Sequence, residues 1–189
     1  MALVVTLSVF NGFHDLVASF FTTFDPQLKV VPVSGKTVAA DDPTLKTICS
    51  LKQVEVATEI VEDMALATYN GRQAMVKIKG VEDNFDSLTH IREILEGDGE
   101  YCLHAADMHY GIVGIRLAER FGMGYTFQNE LKIYAPKREG QLNLANPQDG
   151  FVEGNLYSPG VLFCVKQGKY DKNYILTSIA FARNLFAQQ

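Results

Sequence analysis

Four side chains that can bind a transition metal lie within eight residues of one another: Cys102, His104, Asp107 and His109. Thiolate, imidazole and carboxylate groups all serve as metal ligands. A two-histidine site on a helix requires positions four apart, whereas these histidines are five apart. In a single strand, that odd separation places the two side chains on opposite faces. The spacing therefore predicts no metal site.

The same segment offers the chain's local candidate for a cysteine nucleophile. A reactive thiolate needs a neighbouring base, and His104 lies two residues from Cys102. The other two cysteines, Cys49 and Cys164, lie within apolar patterns and are expected to be buried and inert. Proximity alone supports the nucleophile, so we expect no enzyme. A soluble ligand-binding or hydrolytic domain that uses Cys102, His104 and His109 remains the alternative from another functional class.

Length and charge narrow the classes of function. A chain of 189 residues can bury about 70% of its unfolded surface, which is enough for it to fold without a partner. Its net charge is −5, whereas binding to a phosphate backbone requires clustered lysine and arginine. No long basic cluster occurs, so we expect no nucleic-acid partner. Three cysteines are too few and too scattered for a disulfide framework.

The first half of the chain contains both helical and strand-like patterns. Apolar residues at three- and four-residue steps predict a helix over residues 8–24. A strand is expected at 28–33, and Asp42-Pro43 begins a short helix that runs to about residue 50. The dipeptide Asn70-Gly71 separates two strand-like runs, 54–69 and 73–81, and predicts a β-hairpin.

The second half continues the same mixture of elements. The patterns predict a helix around 88–95, a strand at 111–115 followed by a helix at 116–121, a strand at 129–135, a polar loop at 136–150, strands within 151–165 interrupted at 158–160, and a final helix at 170–187. Strands and helices that alternate irregularly, with at least one hairpin, favour an α+β fold.

The opening stretch carries no charged side chain before Asp15. It has neither the basic start of a secretory signal nor the roughly 20 apolar residues of a complete membrane span. We interpret residues 1–25 as the outer end of a first transmembrane helix, which would attach the domain to a membrane. The alternative is a buried core helix.

Several segments also occur in the order that is typical of one protein family. They are LSVFNGF at 7–13, the strand at 28–33, VKIKGV at 76–81, GIVGIRLA at 111–118 and YDKNY at 170–174. On these segments the chain resembles the extracytoplasmic domain of the lipoprotein-releasing ABC transporter permeases LolC and LolE, which share a MacB-like periplasmic core. The segments span nearly the whole chain.

The resemblance implies a two-lobed fold and a role in transport. A porter-like lobe would comprise residues 26–81 and 151–189, with a smaller lobe inserted at 82–150. The protein would lie in the inner (cytoplasmic) membrane with this domain in the periplasm. ATP would be hydrolysed by a separate cytoplasmic subunit, and the domain would act with a second permease subunit on a lipoprotein or its periplasmic carrier. No cofactor is implied, and the chain itself would not be an enzyme.

The resemblance also implies a binding loop for the carrier protein. In LolC-like members a loop between two strands of the inserted lobe hooks the carrier, and residues 136–150 occupy the matching place. The candidate contact residues are Pro136, Lys137, Arg138, Leu142, Leu144 and Pro147. The nearest alternatives share the fold: a MacB-like efflux permease or an FtsX-like permease that transmits motion to a different partner.

Overall fold

An eight-stranded mixed sheet organises the part of the chain that the structure describes. The structure is a computed structural model that describes residues 24–26, 28–33, 35, 37–38, 42–137 and 150–186. The ten strands are β1 (Ile60–Tyr69), β2 (Arg72–Val81), β3 (Leu95–Gly97), β4 (His104–Ala105), β5 (Met108–His109), β6 (Ile112–Gly114), β7 (Leu131–Pro136), β8 (Phe151–Leu156), β9 (Val161–Phe163) and β10 (Tyr174–Ser178). The large sheet has the order β3-β9-β6-β10-β2-β1-β7-β8, and β4 and β5 form a separate pair.

Short helices connect these strands. They are α1 (Pro43–Cys49), α2 (Phe85–Leu88), α3 (Ile115–Phe121), α4 (Gly168–Asp171) and α5 (Ile179–Phe186), with a 3-10 helix at Ile91–Ile94. The expected α+β class is confirmed. The finer division into a porter-like lobe and an inserted lobe stays a prediction. In the described residues, strands from both predicted lobes share one sheet, since β6 pairs with β10 and β7 pairs with β1.

Several local signals are confirmed. β1 and β2 form the predicted antiparallel hairpin, and both Asn70 and Gly71 have positive φ, as a tight two-residue hairpin turn requires. Asp42 caps α1, its carboxylate accepting a hydrogen bond from the Thr44 amide at 2.7 Å. Gly122 ends α3 in the left-handed conformation, with φ of 70°.

The predicted final helix over residues 170–187 is wrong in its first half. The chain forms the four-residue helix α4, then the strand β10, and only then the helix α5. All five residues of β10 are buried, because the strand lies between β2 and β6 with both of its faces covered. A fully buried strand reads as a continuous apolar run, which periodicity alone does not separate from a helix.

The predicted strand at residues 28–33 is also wrong. This segment pairs with no strand of the described sheet, and its apolar side chains are exposed, with Leu28 at 88%. Pro32 lacks the amide hydrogen that a ladder needs, which disfavours pairing. The expectation of a buried Cys49 fails as well, because its helix α1 lies at the surface with no buried residue.

The large sheet curls on itself. Residues 157–160 join its edge strand β8 directly to β9, near the opposite edge, and Tyr157 pairs with Tyr110 just before β6. The Gly111 amide donates to the Tyr157 carbonyl at 2.9 Å. The inner face of this curl packs against α3 and α5 to form the larger of two hydrophobic cores.

The smaller core lies on the other face of the sheet. It contains the ring of Phe24 together with side chains from α2, the 3-10 helix, β6, β9 and β10. Phe24 is therefore a core residue, although it precedes the sheet by more than thirty positions. No helix among the described residues has both the length and the apolar character needed to cross a bilayer. Residues 1–23 of the predicted transmembrane segment lie outside the described residues.

Candidate functional site

A network of charged and aromatic side chains fixes the start of the described chain to the sheet. We call it the anchor cluster and define it by Phe24, Asp25, Glu62, Lys79, Tyr170 and Tyr174. These residues come from the N-terminal segment, β1, β2, α4 and β10. The first two members of the cluster, Phe24 and Asp25, are the last two residues of the segment 1–25 that the sequence predicts to be a membrane helix.

Lys79 is the centre of the anchor cluster and is 1% exposed. Its Nζ donates to the Phe24 carbonyl and to Asp25 Oδ1, each at 2.7 Å. The ammonium also lies 4.3 Å from the centroid of the Phe24 ring, a favourable cation–π position. A buried charge is stable only when it is paired and hydrogen-bonded, and Lys79 meets both conditions through two consecutive residues.

Asp25 is held as an anion by this arrangement. Its second oxygen, Oδ2, accepts a hydrogen bond from the Tyr170 hydroxyl at 2.6 Å. Burial by itself would raise the pKa of Asp25, but the charge and hydrogen bond of Lys79, together with the Tyr170 hydrogen bond and the charge of Lys29, lower that pKa. Burial lowers the pKa of Lys79, while Asp25 opposes that change. Burial and the bond to Asp25 raise the pKa of Tyr170, so its proton stays on the phenol.

Glu62 forms a second acceptor next to the first. Its Oε1 accepts from the Tyr174 hydroxyl and from Lys77 Nζ, each at 3.0 Å. Burial would raise the pKa of Glu62, but the Lys77 hydrogen bond and the charge of Lys29 lower it. The two carboxylates therefore remain ionised beside two lysines of β2.

Aromatic rings in tilted and edge-on contact complete the cluster. The Phe24 ring lies 4.9 Å from the rings of both Phe163 and Tyr170, and 5.5 Å from the ring of Tyr174 in an edge-on arrangement. Such pairs stabilise a core beyond the area that they bury. The N-terminal segment is thus held by a backbone hydrogen bond, an ion pair and an aromatic box.

The sheet register places these groups together. Glu62 of β1 and Leu176 of β10 are the cross-strand neighbours of Lys79 on its two sides. β10 is followed without a break by α5, the last helix. The first and the last described segments of the chain are therefore both attached to β2, the first through Lys79 and the second through β10.

The two histidines occupy a different place from the one that their spacing predicts. They do not share one strand: β4 and β5 form a two-residue hairpin in which His104 lies directly opposite His109. The expectation of opposite faces is therefore wrong, because a turn at Ala106 and Asp107 reverses the chain between them. Ala106 adopts a positive φ of 48° in this turn.

Cys102 does not meet an imidazole in this arrangement. Its thiol donates to the backbone carbonyl of His104, with a sulfur–oxygen distance of 3.2 Å. His109 Nδ1 lies 2.9 Å from Ser178 Oγ, and burial together with the nearby His104 lowers the pKa of His109. Within the described ranges, no group of three or more histidine, cysteine or acidic side chains is placed to hold a metal ion.

Only part of the predicted carrier loop falls within the described residues. Pro136 and Lys137 are described and border a groove of about 510 Å³. Arg138, Leu142, Leu144 and Pro147 lie outside the described residues, so their contact role stays a prediction. The groove is bordered by apolar side chains of β1, β2, β7 and β8, which we call the open face: Met64, Leu66, Met75, Tyr134 and Phe151.

The anchor cluster is not among the sites that the sequence predicts. Lys79 carries a partial signal, since the apolar Val81 follows it on the same face of the strand, where a buried charged residue needs a partner. Asp25 is more than fifty positions away, and no pattern connects the two.

A scan against models of known protein families and a search of curated proteins found no match to this chain.

Proposed function

We propose that this chain is the extracytoplasmic domain of an ABC transporter permease of the lipoprotein-releasing type. In this role it receives motion from the membrane helices, driven by a cytoplasmic ATPase subunit, and passes it to a lipoprotein or its carrier. The domain performs no chemistry of its own. Its localisation is the periplasmic side of the inner membrane.

The anchor cluster is the observation that carries the proposal. A domain that transmits motion needs its membrane-proximal ends joined firmly to a common rigid element. Here the segment after residue 23 is joined to β2 by the buried Lys79, and α5 leaves from β10, which is paired with β2. A displacement of either end would be passed to the same central strands of the sheet.

The open face, on β1, β2, β7 and β8, supports a contact between this chain and a partner. Met75 and Phe151 are 56% and 43% exposed. Contiguous exposed apolar side chains are typical of interaction sites, and methionine adapts to partners of variable shape. This face adjoins Pro136 and Lys137, where the predicted carrier loop begins.

The first experiment concerns the whole gene product. The reading frame is followed beyond Gln189, and the full-length protein is purified from detergent-solubilised membranes. Three apolar spans of about 20 residues and co-purification of a cytoplasmic ATPase subunit would support the proposal. A stop codon directly after Gln189 would overturn it. A partner of the efflux or cell-division type, without lipoprotein release, would favour the MacB-like or FtsX-like alternative.

A second experiment tests the coupling role of the anchor cluster. Asp25→Asn in the full-length permease removes the anion that pairs with Lys79, while the exposed Asp98→Asn serves as the matched control. We expect ATP hydrolysis to continue in both variants and lipoprotein release to fall only in Asp25→Asn. Equal release by both variants would remove the anchor cluster from the mechanism.

A further inference from the structure

The hairpin β4–β5 holds its two histidines in a specific type of cross-strand pair. The amide of Tyr110 donates to the carbonyl of Leu103 at 2.9 Å, so these two residues form a hydrogen-bonded pair. Hydrogen-bonded and non-hydrogen-bonded pairs alternate along an antiparallel ladder. His104 and His109, one step further along, therefore form a non-hydrogen-bonded pair.

This type of pair brings side chains closest together. Directly opposite residues extend from the same face of the ladder, and in a non-hydrogen-bonded pair their Cα atoms are only about 4.5 Å apart. The electrostatic effect of His104 on the pKa of His109 agrees with this proximity. The two imidazoles thus extend from the same face of a short, tightly turned element.

One imidazole, that of His109, is also oriented through one of its nitrogens, and the other has a carboxylate nearby. His109 Nδ1 lies 2.9 Å from Ser178 Oγ, and His104 Nδ1 lies 3.4 Å from Asp83 Oδ1. Histidines that bind metals usually donate their other ring N–H to an oxygen, which fixes the tautomer and the ring orientation. In the tautomer with the proton on Nδ1, the lone pair of Nε2 is available on both rings.

We propose that His104 and His109 bind a divalent transition-metal ion of borderline softness, such as Ni²⁺ or Zn²⁺, through their Nε2 atoms. Imidazole suits these ions. Since the described residues offer no third side chain to the ion, water fills its other positions. Ser178 orients the imidazole of His109, and Asp83 places a carboxylate beside that of His104. This proposal does not depend on the proposed transport role, and the following experiment tests it separately.

The test is calorimetric titration of the purified full chain, without a histidine tag, with NiCl₂. We expect saturation at one ion per chain. His104→Ala and His109→Gln should each weaken binding about tenfold or more, and Asp83→Ala should weaken it less. His90→Ala is the matched control, because His90 is an exposed histidine that lies outside the hairpin.

His109→Gln could fail to fold, but His104 is exposed, so His104→Ala should fold and still tests the site. Circular dichroism of His104→Ala should match the parent chain, so any loss of binding can be assigned to the imidazole. Saturable binding that His104→Ala loses and His90→Ala retains supports the site. Equal affinity of the parent chain and His104→Ala, or no saturable binding by the parent chain, overturns it.

Discussion

Lys79 and Met75 lie on the same face of the same strand, yet their environments are the reverse of what their chemistry predicts. The charged Lys79 is 1% exposed, whereas the apolar Met75 is 56% exposed. They are four positions apart in β2, so their side chains extend from the same side of the sheet. The N-terminal segment covers the first, and none of the described elements covers the second.

The two positions differ in what covers this face of the sheet. At Lys79 the cover is built into the chain, since Phe24 and Asp25 supply a ring, a carbonyl and a carboxylate. At Met75 the neighbours are Leu66 and Tyr134, which continue the apolar surface. The half of the face around Lys79 is thus covered by the N-terminal segment of the same chain. The half around Met75 is exposed and could contact a partner.

The largest effect is expected from removing the anion of the anchor cluster. Asp25→Ala leaves the ammonium of Lys79 buried without its partner, and loss of one member of a buried pair costs several kcal/mol. We expect the free energy of unfolding, measured in urea, to fall by about 3 kcal/mol. This value is at the lower end of the stability loss expected when one partner of a buried ion pair is removed, because Asp25 itself is partly exposed.

A double variant separates the charge from the packing. In Asp25→Leu with Lys79→Met, both charges are replaced by apolar groups of similar size, which is often nearly neutral for a buried pair. We expect this variant to recover most of the stability that Asp25→Ala loses. If Asp25→Ala unfolds at the same urea concentration as the parent chain, Lys79 is not buried as a paired cation.

The opposite face of β2 gives the next largest effect. Gly80 lies against Ala182 of α5, so an added methyl group would collide with the helix. We expect Gly80→Ala to lower the free energy of unfolding by about 1–3 kcal/mol, the usual cost of overpacking. Gly124→Ala is the control, since its nearest neighbour would be 3.9 Å away, and it should unfold close to the parent chain.

Acid should weaken the attachment of the N-terminal segment to the sheet. The folded-state pKa values of Asp25 and Glu62 are lowered, so the stability that these groups contribute is complete above their unfolded values, at about pH 5 and higher. It is lost as the pH falls through the lower, folded values. Urea unfolding between pH 5 and pH 2.5 should show this loss, and Asp25→Asn should reduce its slope. Identical slopes would contradict the assignment.

The sequence was sufficient for elements with local signals. Asn70-Gly71 predicted the hairpin, Asp42-Pro43 predicted the start of α1, and Gly122 predicted the end of α3. Each of these depends on the backbone preferences of one or two residues. The α+β class followed from the same signals.

The remaining features depend on contacts between distant residues. The strand β10 resembles a helical pattern until it is known to lie between β2 and β6 with a hydrophobic core on each of its faces. The histidine pair was missed because a two-residue turn at Ala106 carries no glycine or asparagine. The anchor cluster joins residues 25 and 79, and nothing in either local sequence identifies the other.

The smallest effect on stability is expected at Met75. Its side chain is exposed, so Met75→Gln should change the free energy of unfolding by no more than about 0.5 kcal/mol. Under the proposed transport role, the same substitution in the full-length protein places a polar group in the open face and should reduce capture of the carrier or lipoprotein. Gln73→Met, an exposed position of the same strand and face, tests the converse by extending the apolar surface. If Met75→Gln leaves capture unchanged, the partner binds elsewhere, and the contrast between Lys79 and Met75 reflects only which part of the sheet the chain itself covers.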